Sequence, residues 1–180
     1  MSSELPSVTV LIAARPDQTE VRAADVARRL EYPADKLEII VARGRQPSAQ
    51  RNAGVRAARG DLIYFLDDDS IPAPGNLLRA ARHFANPATV MAGGPNLCPQ
   101  DAPWLEQVFA LVLSSRLAFG PSRARYARVG QTRDSSEKEL ILCNLLARKE
   151  PLLALGGFNE ALYPNEENAL MDELQKRGSR

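Results

Sequence analysis

Three short, predominantly apolar segments in the first part of the chain constrain its fold more than any other feature. They span residues 8–13, 37–42 and 62–66 and are rich in Val, Ile and Leu. Runs without polar alternation are typical of strands buried on both faces of a parallel sheet. Helical apolar spacing follows the first run at 23–30, and an Ala- and Arg-rich helix is predicted at 48–58 after the second. This alternation predicts βαβ units and a doubly wound, mostly parallel α/β sheet flanked by helices in a single domain.

The rest of the chain continues the pattern with shorter elements. The spacing predicts a helix at 76–84, strands at 89–93 and 140–147, and a short helix at 151–155. A final helix is predicted from Glu166 to Arg177, with Asn165 as its N-cap and Gly178 as its stop.

Two adjoining segments in the second half differ from this pattern. Residues 104–117 place apolar side chains on one face, which predicts an amphipathic helix with Trp104 as a packing anchor. Residues 116–133 carry five arginines and no acid. Two interpretations stay open for this second segment: a solvated surface loop, or a mobile flap that reaches an anionic ligand.

Composition excludes several classes of protein. The chain has 23 basic and 22 acidic residues, a net charge of +1 that gives no electrostatic case for binding nucleic acid. No apolar run approaches the roughly 20 residues of a membrane-spanning helix, and residues 1–4 show no secretion signal. The cysteines, Cys98 and Cys143, lack metal-binding spacing and favour a cytoplasmic protein. With a single histidine, His83, the chemistry has to rely on carboxylates and arginines.

The third apolar run leads directly into Asp67, Asp68 and Asp69. Ligands of open α/β sheets bind beyond the carboxyl ends of the strands, where these acids lie. Alternation along an extended chain would point Asp67 and Asp69 the same way, and Mg²⁺ or Mn²⁺ accepts such carboxylates together with phosphate oxygens. The pattern favours a metal that bridges the protein to a diphosphate. The alternative is a polar turn that caps the next helix.

A second acidic pair, Glu166 and Glu167, opens the last predicted helix. The positive end of the helix dipole favours ionised carboxylates there, which suits Glu167 to act as a general base toward a hydroxyl. The alternative is a pair of ordinary helix-start acids. The loop after the first strand, 14–17, has no glycine, so a Walker A loop and a dinucleotide fingerprint are both excluded.

Four segments, taken in order, resemble the family 2 glycosyltransferases of the GT-A fold. The first strand, 8–12, is similar to the family's opening strand. Residues 50–61, QRNAGVRAARGD, resemble its ARNxG…AxG segment, and 65–69, FLDDD, its D-x-D strand end. Residues 156–167, with GGFNE and then two glutamates, resemble its GGFDE…ED block. The resemblance covers the whole chain, 1–180, as one catalytic domain. The family pattern continues past residue 180, so we expect a domain truncated at its C-terminus.

The resemblance implies transfer of a sugar from a nucleoside diphosphate to an acceptor hydroxyl, with inversion at the anomeric carbon. By position, Glu167 would be the catalytic base, and Asp69 the main ligand of Mn²⁺ or Mg²⁺, with Asp67 also at the metal. The residues implied in nucleotide-sugar binding are Ala14, Arg15, Arg43, Arg51, Asp67 and Asp68. Arg43 stands near a strand end where the family usually carries acids that contact the base.

The implied partners are a nucleoside-diphosphate sugar, with a UDP-sugar favoured, and a glycan or lipid-linked acceptor in polysaccharide or cell-envelope glycan synthesis. The implied site of action is the cytoplasm, and peripheral association with the inner face of the membrane stays open. Two alternatives remain beside this function. One is a catalytically inactive sugar-nucleotide-binding module, and the other is a sugar nucleotidyltransferase of similar fold, which the missing glycine loop disfavours.

Overall fold

A computed structural model describes residues 5–162 and 164–177 of the chain. Within them, five strands form one sheet in the order β2-β1-β3-β5-β4. The first three strands run parallel, whereas β5 runs antiparallel to both of its neighbours. The predicted, mostly parallel α/β sheet is therefore confirmed. The strands are β1 (Val8–Ala14), β2 (Leu37–Arg43), β3 (Leu62–Asp67), β4 (Met91–Gly93) and β5 (Asn144–Arg148).

Seven α-helices connect and cover the described part of this sheet. Three short 3₁₀ segments lie at Ala34–Lys36, Arg82–Ala85 and Gly120–Arg125. The predicted stop at Gly178 lies outside the described residues. The helices are α1 (Arg22–Ala27), α2 (Pro47–Ala57), α3 (Asn76–Ala81), α4 (Trp104–Ser114), α5 (Arg116–Phe119), α6 (Lys149–Ala154) and α7 (Glu166–Lys176).

The core has two layers, one on each face of the sheet. Val10 and Tyr64 pack on one face with side chains of α1 and α3. Leu11 and Phe65, one residue further along each strand, pack on the other face with α2, α6 and α7. Because both faces of β1 and β3 are covered, their sequences can be continuously apolar.

The prediction that the second strand is buried on both faces is wrong. Strand β2 lies at the sheet edge with β1 as its one partner, and residues 37–42 are all half-buried. Edge strands have no second neighbour to cover them, so an apolar sequence does not guarantee burial there.

Residues 94–143 form a long connection between two adjacent strands. The amide of Gly94 donates to the carbonyl of Asn144 (3.2 Å), so the chain leaves β4 and enters β5 at neighbouring positions. The helix predicted at 104–117 is present as α4, but its apolar side chains are exposed and Trp104 does not anchor it. Among the residues that the structure describes, no helix has the length and apolar character needed to cross a membrane.

Candidate functional site

The acids after β3 lie on a tight turn at the carboxyl end of the sheet. Asp67 is the last strand residue, and its amide donates to Ser70 Oγ while its carbonyl accepts from the Ser70 amide (both 3.1 Å). The Asp68 carbonyl accepts from the Ala23 amide at the start of α1 (3.0 Å). Because the chain turns at Asp68, strand alternation stops at Asp67. Asp68 and Asp69 line one cavity, whereas Asp67 is not among its lining residues and lies next to Arg51.

That cavity, of about 550 Å³, opens beyond the ends of β1 and β2. Gln50 of α2 shapes its floor by donating from Nε2 to the carbonyls of Ala14 (2.8 Å) and Ala42 (2.6 Å). The predicted positions Ala14 and Arg15 are part of its lining. The lining residues are Ala13, Ala14, Arg15, Gly44, Arg45, Pro47, Gln50, Asp68 and Asp69.

The two arginines at the end of β2 have different positions. Arg43, implied by the resemblance in nucleotide-sugar binding, donates to the carbonyls of Arg15 (3.2 Å) and Gln18 and is not among the lining residues. It holds the loop after β1 against the end of β2. Arg45, which was not among the predicted site residues, lines the cavity instead.

Arg51 of α2 joins the two acidic segments. Its Nη1 donates to Glu166 Oε1 (3.1 Å), and its Nη2 lies 3.8 Å from Asp67 Oδ1. The Glu166 side chain is only 4% exposed, and its Oε2 has no hydrogen-bond partner among the described residues. Sequence reasoning assigned no role to Glu166, although its place next to Glu167 was a signal that it belongs to the same site.

Asn52, the residue after Arg51, connects the motif on α2 to the glycine-rich turn before α7. Its Nδ2 donates to the Phe158 carbonyl (2.9 Å) and Glu160 Oε1 (2.8 Å), and its Oδ1 accepts from the Phe158 amide (2.8 Å). Gly157 has φ +83°, and a Cβ there would lie 2.3 Å from Asn52 Oδ1. Hydrogen bonds and a close backbone approach therefore hold together two segments that are about a hundred residues apart in the sequence.

Glu167 lies in the first turn of α7, half-buried. Burial raises the pKa of its carboxyl above the ordinary value of 4.5, with Glu166 and Asp67 acting in the same direction, while Arg51 and Arg125 lower it. Asn165 precedes the helix but does not cap it with its side chain, because its Oδ1 accepts from Asn168 Nδ2 (2.6 Å) instead.

Arg125 brings the arginine-rich segment to the start of α7. Its guanidinium donates to Asn168 Oδ1 and to the Glu137 carbonyl. The Asn96 amide donates in turn to the Arg125 carbonyl (2.7 Å), which fixes the backbone of this residue. The site thus contains a cation from the segment 116–133 that sequence reasoning did not single out.

The carboxylates at the strand end and Glu167 lie on the same side of the sheet. The thiol of Cys143, buried just before β5, has its pKa raised to about 12, mainly by burial and further by the charges of Asp67, Glu167 and Asp69. The contacts of Arg51 with Asp67 and with Glu166 place the end of β3 next to the start of α7.

The carboxylates after β3 suit a divalent cation whose remaining ligands come from a bound substrate. Partial burial raises the pKa of Asp67, whose side chain is still 50% exposed, with Asp69 and Asp68 adding to the effect and Arg51 opposing it. Crowded carboxylates of this kind are relieved by a cation. No group of three or more potential metal-ligating side chains is preformed in the described ranges. Mg²⁺ and Mn²⁺ accept one or two carboxylates when phosphate oxygens complete the set.

A larger cavity, of about 610 Å³, lies between β4, the long connection and α7. It is lined by β4, by residues 127–137 of the long connection, and by Met171 and Gln175 of α7. Met171 lies one helical turn after Glu167. Because side chains four residues apart lie on the same face of a helix, Glu167 and Met171 share the side of α7 that this cavity reaches.

Several solved structures share this architecture at low sequence identity. The mannosyltransferase PcManGT from Pyrobaculum calidifontis, in complex with GDP-Man and Mn²⁺, has a TM-score of 0.71 and 19% identity over 99% of this chain. S. aureus TarS 1-349 in complex with UDP has a TM-score of 0.59 and 12% identity over 92% of this chain. Glucosyl-3-phosphoglycerate synthase of M. tuberculosis has a TM-score of 0.55 and 12% identity over 96% of this chain. The chain covers 54%, 54% and 66% of these structures, respectively.

These likenesses show the GT-A fold. None of the curated protein sequences matches the chain significantly. The sequence profile described as Glycosyl transferase family 2 matches residues 15–152, which is more than half of the chain and includes the strand end, Arg51 and Asn52. The chain therefore belongs to glycosyl transferase family 2.

Proposed function

We propose that this chain is a catalytic domain that transfers a sugar from a nucleoside-diphosphate sugar to an acceptor hydroxyl with inversion. One observation carries the proposal: Arg51 contacts both Asp67 at the strand end and Glu166 beside Glu167. Through Arg51, the carboxylates at the end of β3 that could bind a metal ion lie close to the candidate base, Glu167. Such a transfer needs both, since one group handles the diphosphate and the other the acceptor proton.

The smaller cavity suits the donor. Backbone of Ala14 and Gly44 and the carboxylates of Asp68 and Asp69 line it, and Arg15 and Arg45 supply positive charge for phosphates. Bound nucleotides in the structural neighbours include GDP-Man and UDP. We therefore propose UDP- and GDP-sugars as the first donors to test.

Asp69 and Asp67 would hold the divalent cation, with Asp68 beside them at the donor. The cation, when bound, neutralises the charge that develops on the leaving diphosphate. Arg51 stands next to Asp67 and keeps that carboxylate oriented.

Glu167 is proposed to remove the proton of the acceptor hydroxyl. The acceptor oxygen then forms a bond to the anomeric carbon, the bond from that carbon to the diphosphate breaks on the opposite face, and the diphosphate leaves with the electron pair. Burial raises the pKa of Glu167 overall, and Arg51 and Arg125 oppose this shift by favouring the ionised carboxylate, which is the form that accepts a proton. The larger cavity, which reaches α7 one turn after Glu167, is the proposed entrance for the acceptor.

The acceptor is proposed to be a glycan or lipid-linked sugar of polysaccharide or cell-envelope synthesis. Two free thiols, Cys98 and Cys143, are in keeping with a reducing compartment. We therefore place the reaction in the cytoplasm.

Asp69→Ala tests the donor site. We expect the affinity for UDP or GDP in the presence of Mn²⁺, measured by calorimetry, to fall about 100-fold or more because a metal ligand is lost. Asp61→Ala, at the opposite end of β3, is the matched control and should bind normally. If the Asp69 variant binds the nucleotide with unchanged affinity, Asp69 does not hold a cation that binds the diphosphate.

Glu167→Gln tests the base. Transfer should fall by about 100- to 10,000-fold while the affinity for the donor is kept, because glutamine retains the shape but cannot accept the proton. Glu173→Gln, exposed on the same helix, is the control. A wild-type chain that binds donors but transfers no sugar to any acceptor offered would favour the inactive binding module instead.

A further inference from the structure

Helix α4 is amphipathic, but its apolar side faces outward and its less apolar side faces the protein. Its half-buried residues, Ala110, Leu113 and Ser114, lie mainly on the less apolar side of the helix. The opposite arc is apolar and faces outward, with Trp104, Phe109 and Leu111 exposed by 74%, 59% and 72%. A helix in a globular protein normally buries the apolar arc. Some other surface must therefore cover it.

The exposed apolar surface continues beyond the end of α4. Leu117 of α5 is fully exposed and Phe119 is partly exposed. The 3₁₀ segment Gly120–Arg125 and α5 both pack against α4, so the three elements form one unit. We call this unit, residues 104–125, the apolar platform. Contiguous exposed apolar surfaces of this kind mark interaction sites.

The charge of the platform and of the segment that follows it is predominantly positive, with Glu106 as the one acid between Trp104 and Arg133. From Gln107 to Arg133 the chain has five arginines and no acid, although the whole chain has a net charge of only +1. Arg116, Arg123 and Arg128 make no ion pair or side-chain hydrogen bond with any described residue, whereas Arg125 and Arg133 are engaged. The platform therefore combines an apolar arc with uncommitted cations.

We propose that the apolar platform docks on a membrane surface that carries anionic lipid headgroups. An outward apolar arc with a tryptophan and flanking arginines is the composition of interfacial helices, whose apolar side enters the acyl boundary while cations contact headgroups. A two-fold contact with a second copy is disfavoured, because it would place two positively charged surfaces against each other. An anionic bilayer offers the opposite charge.

Docking in this way would place the proposed active site next to the bilayer. The platform ends at Arg125, which contacts Asn168 in the first turn of α7 beside Glu167. A lipid-linked acceptor held in the membrane would then meet the base from the side of the long connection. This link rests on the proposed function, but the docking itself does not.

The single tryptophan of the chain, Trp104, reports on the docking directly. The protein is titrated with vesicles of equimolar phosphatidylcholine and phosphatidylglycerol, and with vesicles of phosphatidylcholine alone. We expect a blue shift of Trp104 emission and co-sedimentation with the anionic vesicles, and much weaker effects with the neutral ones. No shift at a large excess of anionic lipid would overturn the proposal.

Two sets of variants separate the apolar and the charged contributions. Leu111→Glu should weaken binding to anionic vesicles about tenfold or more, whereas Leu153→Glu, exposed on α6, should not. Arg116→Glu and Arg128→Glu should each weaken it about fivefold, with Arg56→Glu on α2 as the control. Far-UV circular dichroism verifies that all variants are folded.

Further outcomes would contradict the proposal. One is vesicle binding that Leu111→Glu leaves unchanged, which would show that another surface of the protein contacts the membrane. Another is a blue shift without lipid that grows with protein concentration and accompanies a dimer in sedimentation velocity, which would assign the platform to a second copy. Vesicle binding needs no donor, and donor binding needs no lipid, so this proposal and the proposed function can fail separately.

Discussion

The two sides of the sheet's carboxyl edge are built in different ways. On the donor side, α2 is held by side chains that each make several specific contacts, among them Gln50, Arg51 and Asn52. On the other side, the connection 94–143 contains a helix, α4, without a single buried residue. Arg125 links this connection to the start of α7 through Asn168 Oδ1.

This contrast indicates that the two sides carry out different tasks. Nucleotide and diphosphate require fixed positions, which dense hydrogen bonding and packing provide. The long connection faces outward and is free to meet partners of another kind. If the contrast is real, substitutions on the donor side should cost stability, and substitutions of equal size in the platform should not.

The largest loss is expected for Arg51→Ala. Removal of the guanidinium leaves the buried Glu166 carboxylate without its partner, which costs about 3 kcal/mol of unfolding free energy. Urea denaturation measures the loss. The double variant Arg51→Ala with Glu166→Gln should recover part of it, because the buried charge is gone. Equal stability of the single variant and the wild type would mean that this ion pair is not a structural link.

Gly54→Ala should follow in size. A Cβ at Gly54 would lie 2.2 Å and 2.8 Å from the two terminal methyl carbons of Leu11, which is itself in the core. Alanine normally stabilises a helix relative to glycine, but here we expect a loss of about 2 kcal/mol. Arg56→Ala on the exposed side of the same helix should change stability little. A stabilised Gly54 variant would show that α2 sits further from β1.

Glu167→Gln should raise stability at neutral pH by about 0.5 kcal/mol. Burial holds the pKa of Glu167 above 4.5, so the folded protein keeps a proton at a pH where the unfolded chain has released it. Stability therefore falls as pH rises from 4.5 through the raised pKa, and the full cost is present above it. Unfolding curves at acidic and neutral pH should show the advantage of glutamine growing toward neutrality. A constant difference would exclude titration of Glu167 as its cause.

The smallest effect is expected in the platform. Leu111→Ala removes a side chain that is largely exposed, so the unfolding free energy should stay within about 0.5 kcal/mol of the wild type. The same change of residue at the buried Leu146 of β5 should cost several times more. A large loss from Leu111→Ala would mean that α4 is packed against the protein after all.

Sequence patterns predicted the sheet well because its central strands are buried on both faces, which leaves continuous apolar runs. They failed for β2, whose apolar sequence resembles that of β1 although it lies at an edge. They also failed for α4, since a helical apolar stripe shows that a face must be covered but not what covers it.

For the candidate site, the family resemblance implied Ala14, Arg15, Asp68 and Asp69, and these four residues line one cavity. Spacing alone could not show that Arg43 is tied to backbone carbonyls while Arg45 faces the cavity. It also could not bring Arg125 to the start of α7, because contacts between residues 43 apart depend on the path of the long connection. The catalytic and metal roles of these residues remain predictions for the experiments above.

The closure of the long connection between Gly94 and Asn144 has an implication for how such a domain can diversify. Since both ends are fastened at adjacent points of one β-ladder, the fifty residues between them can lengthen, shorten or be exchanged without shifting the register of any strand. Partner choice and nucleotide chemistry can then change independently within one polypeptide.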